Sequence, residues 1–290
     1  MKTFISHPFY GQTDSFQAIS NTFRYYKNHF FPLFIISLVT NAFTYYIANR
    51  IVLFENLQPP KDPQWVKAAF ISNEHIAWII GAIIIYTSGY LTIVYYTVYQ
   101  SKSHRLPFLK LIKNAILQYY GRFLIVLVLS TTILVFGTFI GIIFFFIGII
   151  FTFFYFSTVL LPAMPILIAE GTMPFDSIVR SFRLTHQDFM NALGSWLIFL
   201  LFLIIISLFL SFIVMLPNIF NIMSTLFSEG GLEQFFKDGF IYGSQTGIGS
   251  HIAQVITSSL LYPLFPIFTV ALYFKLKFKE ETYIVSSSYL

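Results

Sequence analysis

Residues 123–169 read FLIVLVLSTTILVFGTFIGIIFFFIGIIFTFFYFSTVLLPAMPILIA and carry no charged side chain. A membrane-spanning helix needs about 20 consecutive apolar residues, so this stretch is long enough for two spans. Gly137, Gly141 and Gly148 offer places where the chain can reverse, because glycine adopts turn conformations freely. The stretch therefore predicts a tight hairpin of two spanning helices.

The whole chain has the composition of a protein that is solvated by lipid. Hydrophobic residues make up 57% of its 290 residues, charged residues make up 10%, and the mean hydropathy is +0.75. Soluble domains carry about 25% charged residues. The net charge of +5 does not indicate a nucleic-acid partner, because the basic residues flank apolar runs instead of forming one patch. The absence of cysteine excludes disulfides and cysteine-ligated metals.

Four further apolar stretches bring the predicted number of spans to six. They lie at residues 30–48, 76–100, 193–216 and 252–274. We expect the fifth span to end before Pro217, because proline inside a helix removes a hydrogen bond. The predicted fold is an all-α polytopic membrane helix bundle, a single domain of residues 1–290 with about six transmembrane helices and amphipathic interfacial helices.

Charge predicts the orientation of the bundle. Of the 17 Lys and Arg residues, only Arg50, Lys61, Lys67 and Lys237 lie in segments that a six-span topology assigns outside. Cytoplasmic loops carry an excess of Lys and Arg, so both termini are expected in the cytoplasm. The expected partners of the protein include membrane lipids.

An amphipathic segment precedes each odd-numbered span. The three segments are residues 14–30, 107–121 and 174–189. In the first, Asp14 and Gln17 fit a capping box. The second has Pro107 near its start and Gly121 just past its predicted end, and the third begins at Pro174. We expect each segment to form a helix at the membrane interface.

The first and third segments align without gaps at an offset of 159 residues. The identical pairs are Phe16 and Phe175, Ile19 and Ile178, Phe23 and Phe182, Arg24 and Arg183, and Phe30 and Phe189, while Thr22 matches Ser181 conservatively. One interpretation is a threefold internal repeat with units 12–100, 105–170 and 172–279. The alternative is that any short loop on a headgroup surface becomes basic and amphipathic.

Two spans contain proline pairs. Pro162 and Pro165 lie in the fourth span, and Pro263 and Pro266 lie in the sixth. Proline inside a helix produces a kink and leaves carbonyl groups without their helical partners. The kinked spans either line a cavity or improve the packing of the bundle. The packing interpretation is favoured, because neighbouring helices in membrane proteins often provide partners for the backbone groups that proline leaves free.

Glu170 lies at the end of the fourth span, where the helix dipole is itself negative. Arg180 and Arg183 follow on the next helix and can compensate this charge. The favoured interpretation is an ion-pair clamp between the interfacial helix and the span. The alternative is a functional carboxylate at the membrane edge, since ionisable groups in membranes are often functional.

Residues 162–189 read PAMPILIAEGTMPFDSIVRSFRLTHQDF, and residues 272–281 read LYFKLKFKEE. The pattern resembles the membrane domain of bacterial glycerophosphodiester phosphodiesterases and a related group of uncharacterised six-span inner-membrane proteins. Enzymes of that family carry a soluble catalytic barrel after the membrane part, whereas this sequence ends at Leu290. The resemblance therefore implies the membrane module alone, located in a bacterial cytoplasmic (inner) membrane, and gives no basis for assigning phosphodiesterase activity.

Three functions remain as hypotheses. The favoured one is a non-enzymatic scaffold that binds a protein partner or forms a homo-oligomer, because we find no catalytic residues, metal site or cofactor motif. The second is a transporter or lipid-handling protein with a cavity near the kinked fourth and sixth spans. The third is an intramembrane enzyme acting on lipid, with Glu170, Arg180 and Arg183 as its charged centre.

Overall fold

The computed structural model describes residues 7–11, 14–52, 73–99, 108–143, 145–226 and 248–287. These residues form helices and short turns, with no strand among them. In chain order the helices are α1 (Ser15–Asn28), α2 (Phe30–Val52), α3 (Asn73–Tyr99), α4 (Phe108–Ile142), α5 (Phe145–Leu160), α6 (Ala163–Glu170), α7 (Pro174–His186), α8 (Phe189–Leu226), α9 (Ile248–Leu261) and α10 (Leu264–Ser287).

Six helical stretches are long and apolar enough to cross a membrane, which confirms the all-α, six-span prediction. They are Phe30–Ala48, Ile76–Tyr99, Leu109–Ile142, Ile147–Glu170, Phe189–Val214 and Ile252–Tyr283. The fourth stretch joins α5 to α6, and the sixth joins α9 to α10. The chain is therefore a multi-pass membrane protein whose exposed apolar side chains are solvated by lipid.

The sixth span lies at the centre of the bundle. In its most apolar window 56% of the residues are buried inside the protein, against 6% in the fifth span. Residues 266–277 of α10 are buried without interruption. This helix packs against α1, α3, α6, α7 and α8, so both its apolar and its polar side chains meet protein instead of lipid.

The chain does not reverse at the glycines of the central stretch. Gly137 and Gly141 both lie inside α4. A Cβ atom at Gly137 would lie 2.2 Å from the ring of Phe156, and one at Gly141 would lie 2.6 Å from the backbone oxygen of Gly148. The turn prediction for Gly137 and Gly141 is therefore wrong. Their missing side chains allow α4 and α5 to pack closely.

One other predicted helix end is wrong. Gly121 lies within the continuous helix α4, because the roughly 1 kcal/mol cost of an internal glycine is small for so long a helix. The fifth span ends at Val214, before Pro217 as predicted, but helix α8 itself continues through Pro217 to Leu226, as membrane helices often do at a proline. Pro107 lies outside the described residues.

The interfacial helices α1 and α7 begin in different ways. Asp14 occupies the N-cap position of α1, but its side chain makes no capping hydrogen bond, so its role in the predicted capping box is wrong. Pro174 lies in the first turn of α7, as expected. Burial of Ile19 and Ile178 in the core, each 4% exposed, holds both helices to the bundle.

The N-terminal segment, residues 7–11, lies against α3 and α10. The ring of His7 stacks on Phe274 with a centroid separation of 4.0 Å, and its Nε2 donates a hydrogen bond of 2.9 Å to the carbonyl of Thr97. The hydroxyl of Tyr10 donates to the carboxylate of Glu281. These contacts place the N-terminal segment and the end of α10 on the same side of the bundle.

Acidification is expected to weaken this docking. The backbone N–H of Phe9 donates to Nδ1 of His7, so the site binds the neutral imidazole. Burial lowers the pKa of His7 from 6.5 to about 4. Between these values the unfolded chain binds more protons than the folded protein, so stability falls as the pH drops. We expect a loss of about 2 kcal/mol between about pH 7 and pH 5, measured by thermal unfolding in detergent.

A His7→Asn variant provides the control for this pH dependence. It should be less stable than the wild type near neutral pH, because the ring stacking is lost. The stability difference between the two proteins should shrink on acidification. A difference that stays constant with pH would contradict the role assigned to His7.

Candidate functional site

Glu170, at the C-terminal end of α6, is contacted by two cations and a hydroxyl group. Arg180 Nε lies 3.4 Å from one carboxylate oxygen, and Lys277 Nζ lies 3.4 Å from the other. The hydroxyl of Tyr273 donates a hydrogen bond of 3.1 Å to the same oxygen as Lys277. These groups compensate a negative charge that the helix C-terminus would otherwise disfavour.

Arg180 is the centre of this charged cluster. Its two terminal nitrogens donate to both carboxylate oxygens of Glu280, with Nη1 at 2.6 Å. Such bidentate pairs fix geometry as well as charge. The hydrogen bonds to Glu280 raise the pKa of the Arg180 guanidinium above its ordinary value. One side chain of α7 thus joins the end of α6 to α10.

The structure brings two of the three predicted cluster residues together and leaves the third out. Arg183 is exposed and forms no ion pair with any residue that the structure describes. Sequence reasoning missed three members of the cluster, Tyr273, Lys277 and Glu280. Their spacing of four and then three residues places them on one face of α10, which was a usable signal.

Two further polar contacts tie α10 to the start of α8. Lys279 forms an ion pair with Asp188, just before α8. The ammonium of Lys275 donates a hydrogen bond of 2.9 Å to the hydroxyl of Ser195 on α8. Lys275 is fully buried, so its head group is solvated by the protein and not by water or lipid.

The contacts of the charged cluster join α6, α7 and α10, as the clamp interpretation expects. Both oxygens of Glu170 face a cation, which leaves no unpaired carboxylate base at this position. Among the described residues, no group of three or more His, Asp or Glu side chains is arranged to hold a metal ion. Nucleophilic catalysis needs a nucleophile beside a free base, and both carboxylates of the cluster are paired with cations.

The proline pairs divide their spans into separate helices. A two-residue turn with Pro162 separates α5 from α6, and one with Pro263 separates α9 from α10. Pro165 and Pro266 lie in the first turns of α6 and α10, where a helix does not need the missing N–H groups. Each pair therefore ends one helix and begins the next, so these spans are interrupted and not merely kinked.

Helix α7 provides a hydrogen bond to a carbonyl group beside the interruption of the fourth span. The buried hydroxyl of Ser181 donates a hydrogen bond of 2.6 Å to the carbonyl of Val159, three residues before Pro162. Carbonyl groups freed at membrane depth must find partners within the protein. The interfacial helix α7 is thus bound to the fourth span by this bond as well as by Arg180.

An open cavity of about 650 Å³ lies between α2, α3, α8 and the junction of α9 and α10. Its lining residues are Asn41, Tyr86, Tyr90, Leu200, Leu203, Ile204, Ser207, Leu208, Ser258, Leu261, Tyr262, Phe265 and Pro266. Of the four prolines named from the sequence, Pro266 lines this cavity, while Pro162, Pro165 and Pro263 do not.

The wall of the cavity is apolar, with a few polar atoms and no charged side chain among its lining residues. The hydroxyl of Tyr262 donates a hydrogen bond of 2.6 Å to the carbonyl of Tyr86, and the two rings meet edge to face at 4.9 Å. The amide of Asn41 donates to the carbonyl of Ser37 at 2.9 Å. Such a wall fits an apolar ligand with few polar groups.

Comparisons of this chain with models of known protein families, with curated proteins and with solved structures found no match. The cavity and the charged cluster must therefore be interpreted from their own geometry and chemistry.

Proposed function

We propose that this multi-pass membrane protein is a lipid-handling protein, which binds the hydrocarbon chain of a lipid in the cavity described above. The observation that carries the proposal is an open, apolar cavity of about 650 Å³ between spanning helices. Pockets for small molecules usually measure about 300–1,000 Å³, so the volume fits a substantial part of one lipid chain.

The depth of the cavity supports a lipid ligand. Tyr86 and Tyr90 lie near the middle of the span Ile76–Tyr99, and Leu203 lies near the middle of Phe189–Val214. At that depth the surrounding solvent is the hydrocarbon of the bilayer. A lipid chain can therefore enter from the side without crossing water.

The chemistry of the wall disfavours a charged solute. A charge at membrane depth needs a partner, and the lining residues offer none. The side chains of Asn41, Ser207 and Ser258 can bond one neutral polar group, such as an ester or a hydroxyl. These features favour lipid handling over ion transport. They also favour it over the scaffold hypothesis, since a scaffold needs no cavity.

We also propose that the protein lies in a bacterial inner membrane with both ends of the chain in the cytoplasm. The charge distribution supports this orientation, and the docking of residues 7–11 beside the end of α10 agrees with ends on one side. The resemblance of residues 162–189 to the membrane domain of glycerophosphodiester phosphodiesterases makes a lipid-related role consistent with the sequence.

The test is to fill the cavity. Leu203→Trp adds bulk to the cavity wall, whereas Ile205→Trp places the same side chain two residues away, at a site that is 54% exposed on the same helix. A phospholipid with a fluorescent acyl chain is titrated against each protein in detergent. We expect saturable binding by the wild type and the Ile205 variant, and binding about tenfold weaker for Leu203→Trp.

The design separates loss of the cavity from loss of folding. If Leu203→Trp does not fold, Ile204→Phe fills the same wall with a smaller change. Absence of saturable binding by the wild type would overturn the proposal. Equal binding by a folded cavity variant and the wild type would also overturn it.

A further inference from the structure

At one end of the bundle, half-buried charged side chains form ion pairs, whereas a set of exposed cations does not. This end contains the N-terminal segment, α1, α7, the start of α4 and the end of α10. The hydroxyl of Tyr99, at the end of α3, lies 3.3 Å from that of Tyr119 on α4 and donates to the carbonyl of Ile168 on α6. These bonds bring the three helices together at this end.

Three half-buried acidic groups are neutralised within the protein. Glu280 is paired with Arg180, Glu170 with Arg180 and Lys277, and Asp188 with Lys279. These three acids and three cations therefore leave no net negative charge that could neutralise the cations on the surface.

Six cations at this end are exposed, and no acidic partner contacts them within the described residues. They are Arg24 and Lys27 on α1, Lys110, Lys113 and Arg122 on α4, and Arg183 on α7. Asp14 and Asp176 are also exposed there, and the half-buried Glu281 accepts a hydrogen bond from Tyr10. Six cations against these three acids leave the surface with an excess of positive charge.

Helices α1 and α7 present the same exposed pattern. Phe16 is 60% exposed and Phe175 is 66% exposed, and in each helix an exposed arginine, Arg24 or Arg183, follows eight residues later. Residues eight positions apart differ by about 80° around a helix axis, so they share one broad face. Each interfacial helix therefore presents an aromatic ring and a guanidinium on one outward face.

Helix α4 repeats this combination with aliphatic residues. Leu109 and Leu117 are 79% and 72% exposed, and Lys113 lies between them on the same face. The stretch Leu109–Ile142 contains 34 residues, more than the roughly 20 that cross a bilayer. The first turns of α4 therefore reach beyond the hydrocarbon to the level of the headgroups.

We propose that these outward faces of α1, α4 and α7 form a binding surface for anionic phospholipids. The cations contact the phosphate groups of the leaflet, and Phe16 and Phe175 insert between the lipid chains. Interfacial helices bind membranes by this combination of buried apolar area and attraction to anionic lipids. An acidic soluble protein would match the cations but would leave the exposed apolar residues in water.

The test measures which lipids stay bound to the protein. The wild type is placed in vesicles with equal amounts of phosphatidylglycerol and phosphatidylcholine, extracted in mild detergent, and its retained lipids are quantified by mass spectrometry. A basic residue near an anionic surface contributes enough to favour an anionic lipid about fivefold. We expect at least this preference at low salt, and a smaller one at high salt.

Matched variants identify the surface. Arg24→Gln with Arg183→Gln removes two of the six cations and should reduce the preference at least about twofold relative to the wild type, whereas Arg24→Lys with Arg183→Lys keeps the charge and most of the preference. Phe16→Ser with Phe175→Ser should reduce the number of retained lipids while the salt dependence remains. The cavity variant Leu203→Trp should keep the full preference, so failure of this proposal is distinguishable from failure of the cavity proposal.

Several outcomes would overturn the proposal. One is a wild type without lipid preference, and another is an unchanged preference in the glutamine double variant. Competition by inorganic phosphate or by soluble glycerol phosphate would assign the cations to a free phosphate instead of a leaflet. A preference that is absent while an acidic protein stably co-purifies would assign the surface to that protein.

Discussion

Replacing Arg180 by methionine is expected to lower the free energy of unfolding by about 2 kcal/mol, because breaking a half-buried ion pair leaves an uncompensated charge. Arg180 is the cation bonded to Glu280, whose side chain is 13% exposed, and it also contacts Glu170. The substitution leaves Glu170 with Lys277. It removes both hydrogen bonds from a cation to Glu280, which keeps a 3.5 Å contact with Gln187 and the more distant charge of Lys277. Unfolding with a denaturing detergent, starting from a neutral detergent, measures the change.

Arg183→Met is the matched control for this experiment. Arg183 lies on the same helix but is exposed and outside the charged cluster, so its replacement should change stability by less than about 0.5 kcal/mol. Arg180→Lys should recover part of the loss, since lysine keeps the charge but not the bidentate geometry. Equal effects of the two methionine variants would contradict the clamp.

Replacing Gly141 by alanine is expected to lower the free energy of unfolding by about 3 kcal/mol, near the upper end of typical overpacking costs. The added Cβ would lie 2.6 Å from the backbone oxygen of Gly148, which belongs to helix α5. A backbone atom in a helix cannot turn away as a side chain can. The α4–α5 hairpin must separate, and the same unfolding measurement detects the loss.

Gly121→Ala is the control for this prediction. Gly121 lies in the same helix, and a Cβ there would have no heavy atom within 4 Å. Alanine is favoured over glycine within a helix, so this variant should be more stable than the wild type by about 0.5–1 kcal/mol. A Gly141→Ala protein as stable as Gly121→Ala would contradict the close approach of α4 and α5.

Part of the charged cluster could be predicted from the sequence. Glu170 and Arg180 are ten residues apart across a short turn, so local chain geometry suffices to bring them together. Glu280 lies 100 residues beyond Arg180, and only the packing of α10 against α6 and α7 places it there. The exposed position of Arg183 follows from the rotation of α7 about its own axis, which burial of Ile178 and Ser181 decides.

The cavity was less predictable from the sequence than the charged cluster, because its wall depends more on tertiary structure. The prolines marked the two interrupted spans correctly, but three of the four lie away from the cavity. The wall is assembled from four separate parts of the chain, including α8, where no residue pattern indicated a pocket. A cavity is a property of how helix surfaces fit together, and periodicity within a single helix does not specify that fit.

By itself the sequence determined that lipid is the solvent, that the fold is helical and that there are six spans. The reason is that about 20 consecutive apolar residues can form all their backbone hydrogen bonds in lipid only as a helix. Tertiary structure alone decided which span lies at the centre of the bundle and which cations are neutralised or exposed. It also decided that Gly137 and Gly141 allow close helix packing and do not form turns. The physical reason is that backbone hydrogen bonding in lipid is local to each helix, whereas burial, ion pairing and cavities depend on which helices become neighbours.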